Sequence, residues 1–218
     1  MENTPIVVID NFFDQPEKLI SLACTESAFK AQVSDYYPGV RKVVPNSYTQ
    51  KVCSQLLPLL KSNFGFEHAT TVKSVLSAFS LSTTPPKELR PIQTVPHFDT
   101  AEHNQFALVH YLCDEQHGGT SFYRHRETGF ERVTHDRLPL YGTVLKQQAM
   151  KERLHENLNY IDGDTVLFER IYSVEARMNR AIIYPSNLLH SGNIRPEMGL
   201  SNDPRKGRLT VSSFIQIR

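Results

Sequence analysis

Arg208-Leu209-Thr210-Val211-Ser212-Ser213-Phe214-Ile215-Gln216-Ile217 closes the chain with the alternation of a β-strand. Leu209, Val211, Ile215 and Ile217 fall on one face, and Arg208, Thr210 and Ser212 on the other. If both faces are buried, as in a sandwich or barrel, a long cation with two hydroxyls beside it needs an anionic partner. A guanidinium grips a carboxylate with two parallel hydrogen bonds, and hydroxyls two and four residues further on add to them. A dicarboxylate suits that row. On a solvated edge strand the same arginine would be an ordinary surface residue, so the rest of the chain decides between the two.

Working back from this strand, short β-like runs are predicted at 93–97, 105–113, 119–123, 166–175 and 179–184, with an earlier one at 72–81 ended by Thr83-Thr84-Pro85-Pro86. Residues 5–9 form another. Two helices precede the β-rich part. One runs from near Asp14, with Pro16 in its first turn, to about Ala28; the other runs from about Ser47 to Ser62, with Pro58 marking a kink or boundary. Between them, residues 31–47 are turn-rich and aromatic. The charged stretch 124–164 interrupts the β-pattern and carries a possible helix at 143–158, whose apolar positions form no clean stripe. The expected architecture is a mainly β, α+β chain: two N-terminal flanking helices leading into an antiparallel β-domain, for which a jelly roll is the first candidate. It reads as one domain over 1–218. Residues 1–66 pack on a β-core at 67–218, which contains the 124–164 insertion.

Composition narrows the class. The chain has 218 residues, enough to bury a core without staples, and its formal net charge is +1. No global field draws it to nucleic acid or a membrane. Three cysteines with no metal-type spacing suit a reducing compartment, and no leader-like or membrane-spanning run is seen, so a cytoplasmic, soluble protein is expected. Nine histidines are many for this length, and histidine is the commonest transition-metal ligand.

Pro96-His97-Phe98-Asp99 places a His-x-Asp pair at the end of a predicted strand, where residues i and i+2 point to one side. Such a pair also arises by chance in a chain this rich in both residues. Its weight comes from its place and from a second histidine. Ile182-Ile183-Tyr184-Pro185-Ser186-Asn187-Leu188-Leu189-His190-Ser191-Gly192 runs an apolar strand into a turn from which His190 emerges beside a glycine. Two imidazoles and a carboxylate on one face hold non-haem iron(II) and leave positions open. His125-Arg126-Glu127 offers a rival pair by spacing, in a charged loop.

In order along the chain, these pieces resemble the prolyl-4-hydroxylase-like branch of the 2-oxoglutarate/iron(II) oxygenases. His97-x-Asp99 comes first, then Val109-His110-Tyr111-Leu112 leading to Gly118-Gly119-Thr120-Ser121-Phe122. Tyr184-Pro185-Ser186…His190 and Arg208-x-Thr210 complete the set, and Val8-Ile9-Asp10-Asn11-Phe12-Phe13 resembles the opening strand. The likeness covers about 72–217 and is nearest to poorly characterised bacterial members. It implies a double-stranded β-helix (a cupin-like jelly roll), with His97, Asp99 and His190 binding Fe(II) and Arg208 gripping the distal carboxylate of 2-oxoglutarate. Tyr111 would bond the same carboxylate, helped by Thr210 or Ser212. The implied activity is a dioxygenase that consumes O2 and 2-oxoglutarate, releases succinate and CO2, and hydroxylates a small molecule or a peptide or protein side chain.

Two features depart from the branch. Arg208 stands 18 residues beyond His190, a longer spacing than in many relatives, which leaves Arg195, Arg205 and Lys206 as competitors. The 124–175 excursion is also long, and it either covers the site mouth or packs outside. The alternatives are a cupin-like metalloenzyme that does not use 2-oxoglutarate, to which Arg208 would be dispensable, and a catalytically silent binding module. Prime substrate, the choice among hydroxylation, desaturation and oxidative cleavage, and oligomeric state are left open. Tyr36, Tyr37, Arg41, His103, Asn104 and His110 are polar or aromatic groups available to line a pocket.

Overall fold

The computed structural model describes residues 2–25, 28–31, 36–198 and 200–218. Its elements, in chain order, are β1 (Val7–Ile9), α1 (Pro16–Ala23), β2 (Gly39–Val43), α2 (Asn46–Phe64), β3 (Val72–Ser82), β4 (Gln105–Tyr111), β5 (Thr120–His125), α3 (Leu138–Lys151), β6 (Phe168–Val174), β7 (Ala181–Pro185), β8 (His190–Gly192) and β9 (Leu209–Ile217). Two antiparallel sheets result. The larger has the order β1-β7-β4-β9-β3-β2, and the smaller β6-β5-β8.

The alternation of β9 explains how the layers stack. Leu209, Val211, Ile215 and Ile217 join Phe106, Leu108 and Ile183 in a core closed from outside by Leu19 of α1 and Tyr48, Val52, Leu56 and Leu60 of α2. The other face of the large sheet meets the small one. Ala107, Tyr111 and Ile182 pack there with Phe122 and Val174. Truncating a fully buried member of the first core, such as Ile215, costs about 2–5 kcal/mol because the site cannot fully collapse. β9 is therefore clamped by apolar burial on one side, and its polar row is carried inward between the sheets.

Several expected elements shift. Residues 93–97 are not a strand: Pro91–Thr94 is a 3-10 turn, and His97 makes only an isolated bridge to His190. Prolines at 91 and 96 supply no N–H to a ladder, so a regular strand has little to gain there. The excursion's helix starts earlier than expected, at Leu138, where Pro139 occupies the first turn, and ends at Lys151. α1 stops at Ala23 rather than near Ala28, and residues 26 and 27 lie outside those described. Pro58 does not break α2. It is exposed, so the backbone partner it forgoes is released to solvent. The aromatic 31–47 stretch supplies edge strand β2, and β8, only three residues long, was not expected as a strand.

The 124–164 segment is built into the fold. Its Val133 and Tyr141 pack with Tyr123, Phe168 and Leu189 in a third cluster. Glu131, 3% exposed, is held by Arg124 at 2.6 Å, while Glu2 bonds Arg132 and Arg137. No helix among the described residues is long and apolar enough to cross a membrane.

Candidate metal centre and anion pocket

His97 and His190 exchange backbone hydrogen bonds, N to O, at 2.9 and 2.8 Å, and the Asp99 N–H donates to the Ser186 carbonyl at 2.8 Å. The His-x-Asp segment is therefore laid against the β7–β8 turn like one rung of a ladder. This keeps the same-side geometry of residues 97 and 99 without a regular strand. His97 Nε2 lies 3.9 Å from Asp99 Oδ1, and His190 Nε2 lies 3.8 Å from Asp99 Oδ2. The ring centroids of the histidines are 4.3 Å apart, and the three ligand atoms all fall within 4.8 Å of one another.

The donor set fits a divalent transition metal. His190 is buried, and its Nδ1–H donates to the Leu188 carbonyl at 2.8 Å, which leaves the lone pair on Nε2, facing Asp99. Burial lowers its pKa to about 4, so the ring is neutral, as a ligand must be. Two imidazole nitrogens and one carboxylate on one side leave the remaining coordination positions to smaller ligands. Among the described residues this is the one cluster of its kind. The rival His125 has both nitrogens engaged, by Thr128 Oγ1 at 2.9 Å and Gln148 Oε1 at 2.7 Å, and Glu127 accepts from Gln148 Nε2. It is a satisfied core histidine.

Arg208 precedes β9 and is 6% exposed. Its Nη2 donates to the Gly119 carbonyl at 2.8 Å, its guanidinium stands 5.8 Å from the centre of the Tyr111 ring, and its Nε is buried without a hydrogen-bond partner. No carboxylate pairs with it among the described residues. A buried guanidinium in this state is incomplete and calls for an anion. The Gly118-Gly119 pair makes this possible. A Cβ on Gly118 would sit 1.6 Å from the Asn193 carbonyl oxygen, and one on Gly119 1.8 Å from that of Val174. Only glycine lets these backbones close over the arginine. The competitors Arg195, Arg205 and Lys206 are all exposed.

A cavity of about 730 Å³ joins the two sites and is lined by the triad as well as by Arg208, Thr210 and Ser212. Tyr111 is not among its lining residues. Its hydroxyl pairs with Thr120 Oγ1 at 2.6 Å, and burial pushes its pKa up to about 12, with Arg208 pulling the other way. Thr120 reaches the cavity in its place. Reading the Gly118-Gly119-Thr120 stretch as a period-2 strand would have marked Thr120 as inward-facing. Tyr184 is a further site residue, one that its place in the Tyr184-Pro185-Ser186 turn does not single out. It lies on β7, 2% exposed, with its ring edge-on to His190 at 4.8 Å. Burial beside the Asp99 carboxylate raises its pKa, so it remains a protonated hydroxyl.

Of the other candidates, Tyr36, Tyr37 and Arg41 line the cavity, with Arg41 stacked 4.7 Å over Tyr37. His103 and Asn104 do not line it. His110 is a core residue held by Tyr48 and Asn179. The excursion contributes Tyr141, Leu145 and Tyr160 to the wall.

Comparison with known proteins agrees with this architecture. Residues 1–215 match the family described as "Family of unknown function (DUF6445)", and the chain belongs to it. No curated protein matches the chain. Among solved structures, it is similar to HygX from Streptomyces hygroscopicus with nickel and 2-oxoglutarate bound. That match has a TM-score of 0.53 and 11% identity, covering 99% of this chain and 83% of that one. The complex of HygX with nickel, 2-oxoglutarate and hygromycin B gives a TM-score of 0.51 and 12% identity, covering 99% and 84%. A weaker likeness, at 0.49 and 13% identity over 98% and 78%, is to the non-haem α-ketoglutarate-dependent epimerase SnoN from nogalamycin biosynthesis. At these identities the two HygX matches establish a shared fold.

Proposed function

We propose that this DUF6445 chain is an Fe(II)- and 2-oxoglutarate-dependent dioxygenase, hydroxylating an organic substrate with release of succinate and CO2. The observation that carries the reading is one cavity with two unlike sites. A His, Asp, His face in it suits iron(II), and a buried guanidinium in it has no anionic partner among the described residues. That HygX binds nickel and 2-oxoglutarate on the same fold supports it. The finer readings go with this one: a single domain over 1–218, a double-stranded β-helix of the prolyl-4-hydroxylase-like kind, and a cytoplasmic location.

In this reading His97, Asp99 and His190 hold the metal. When bound, iron with O2 and 2-oxoglutarate supplies an oxidant able to remove hydrogen from unactivated carbon. The chain's own residues bind and orient. Arg208 Nε and the hydroxyls of Thr210 and Ser212 receive the distal carboxylate. Thr120, accepting from the Tyr111 hydroxyl, turns its own O–H to the same group. Buried among aromatic residues, this pocket excludes water, which strengthens each charge-assisted bond.

The test is anaerobic. Adding 2-oxoglutarate to the iron(II) form is expected to produce a visible charge-transfer band, and admitting air to yield succinate at a slow uncoupled rate. A protein that binds iron but shows neither band nor succinate would move the reading to a metalloenzyme that does not use 2-oxoglutarate.

A further inference from the structure

We propose that the prime substrate is a small, predominantly apolar molecule, neutral or anionic, whose apolar arm lies in a groove between the 91–95 turn and α3. This rests on the oxygenase reading and assigns the part of the cavity that the reading leaves over.

The cavity has a lining of two kinds. The co-substrate part carries Arg208, Thr210 and Ser212. The lining also includes the apolar and aromatic side chains of Ile92, Phe98, Tyr141 and Leu145, whereas Ile194 and Tyr160 stand near Arg208. Its total volume, about 730 Å³, falls in the range of sites that enclose drug-sized ligands, roughly 300–1,000 Å³, and a five-carbon dicarboxylate leaves most of it open. A second hollow measures about 260 Å³. It shares Ile92 and Leu145 with the first and is otherwise lined by Pro91, Val95, Gly142, Lys146, Ala149 and Leu154. Ile92 and Leu145 border both hollows, so the apolar arm of a molecule reacting at the metal is placed across these two side chains, toward the second hollow.

Three features set the chemistry of the occupant. First, among the described residues Asp99, a metal-ligand candidate, is the sole acidic residue lining either hollow, so an ammonium group would find no other carboxylate among them. Second, among the described residues the side groove offers one polar side chain, Lys146, to any ligand. A peptide would bring in an N–H and a C=O at every residue with almost nothing to pair them, whereas an alkyl or aromatic arm needs no partners. Third, Tyr141, beside the junction, is 3% exposed, and its hydroxyl is buried with no hydrogen-bond partner. Burial alone raises its pKa, so it remains a donor, set edge-on to Phe98 at 6.1 Å. Such a hydroxyl in an apolar wall marks where a polar atom of the ligand is met.

The experiment uses the full chain loaded with nickel(II) and 2-oxoglutarate, titrated calorimetrically with dodecanoate and with dodecylamine. Dodecanoate is expected to bind at one site with a negative heat-capacity change, and dodecylamine at least tenfold more weakly. Leu145→Glu and Ala149→Trp, both at half-buried positions of α3, are each expected to weaken dodecanoate at least tenfold, and Tyr141→Phe several-fold. Nickel and 2-oxoglutarate affinities should be unchanged in the folded variants. Absence of dodecanoate binding, affinity in all three variants equal to that of the unsubstituted chain, or preference for the amine overturns the proposal. 2-Oxoglutarate binding is scored beforehand, by titrating it into the nickel(II) form. Its loss in the unsubstituted chain removes the oxygenase reading itself, whereas loss of dodecanoate binding alone removes only the substrate class.

Discussion

Replacing Arg208 by methionine keeps the apolar stem and removes the guanidinium, and its consequences for stability and for binding separate cleanly. In the ligand-free protein two terms oppose. The bond from Nη2 to the Gly119 carbonyl, 2.8 Å long, is lost, which leaves a buried acceptor short of a donor and costs about 1–2 kcal/mol. Against this, a buried cation with an unsatisfied Nε disappears, a relief of the same order. The net change is within about 2 kcal/mol either way, a shift of a few degrees in Tm for a chain of this size. The ligand term runs in one direction only. Truncating the cationic partner of a buried carboxylate costs about 2–5 kcal/mol, and each 1.4 kcal/mol is tenfold, so the Kd for 2-oxoglutarate should rise roughly 30- to 4,000-fold. Following the charge-transfer band of the anaerobic iron(II) form during titration reads that Kd. Thermal melts at saturating 2-oxoglutarate read it again through linkage, because ligand should raise the Tm of the unsubstituted chain and not that of the variant. A folded Arg208→Met protein with a Kd within threefold of the unsubstituted chain would falsify the anchor.

Three further outcomes are expected. His97→Ala, Asp99→Ala and His190→Ala should each abolish tight iron(II) binding measured by anaerobic equilibrium dialysis, while His125→Ala should retain it; the opposite pattern rejects the triad. His110, whose pKa burial lowers to about 4, stays neutral in the fold and titrates near 6.5 when unfolded. Its contribution to stability is therefore present above about pH 6.5 and lost as pH falls toward 4. His110→Gln should flatten the fall in unfolding free energy between pH 6 and 5 by about 1 kcal/mol per unit, read by urea denaturation of metal-free protein, and an unchanged slope would reject the assignment. Tyr141→Phe removes a buried hydroxyl that has no partner, so its Tm should equal or exceed that of the unsubstituted chain; a loss of several degrees would mean the hydroxyl is satisfied in solution.

Most of the strand pattern was legible in the sequence because one face of each strand is apolar, and a period of two records that directly. Strands 72–82, 105–111, 181–185 and 209–217 lie where alternation or an apolar run put them. The misplaced elements are those held by something other than a buried face. Residues 93–97 are extended only near His97, where the backbone of a distant turn supplies the partner. β8 is too short to show a period. α3 buries little beyond Tyr141, so its sequence carries no stripe from which to read its limits.

The site divides in the same way. The residue types, their order and the parity of Arg208, Thr210 and Ser212 are local properties, and these pointed to His97, Asp99, His190 and Arg208 before any fold was known. Tyr111 carried no local sign that its hydroxyl is taken by Thr120, since that pairing depends on how β4 meets β5 across the gap between the sheets. Nor could spacing tell His125 from His190. His125 lies in a charged stretch and His190 beyond an apolar one, but only packing shows that the first has both nitrogens satisfied while the second leaves Nε2 facing a carboxylate. Sequence alone determined which faces are buried and which donor atoms are available, because hydrophobicity and side-chain chemistry belong to each residue. Only the tertiary structure decided which donors converge and which are already paired, because a hydrogen bond between segments far apart in the chain exists only once the sheets have closed on each other.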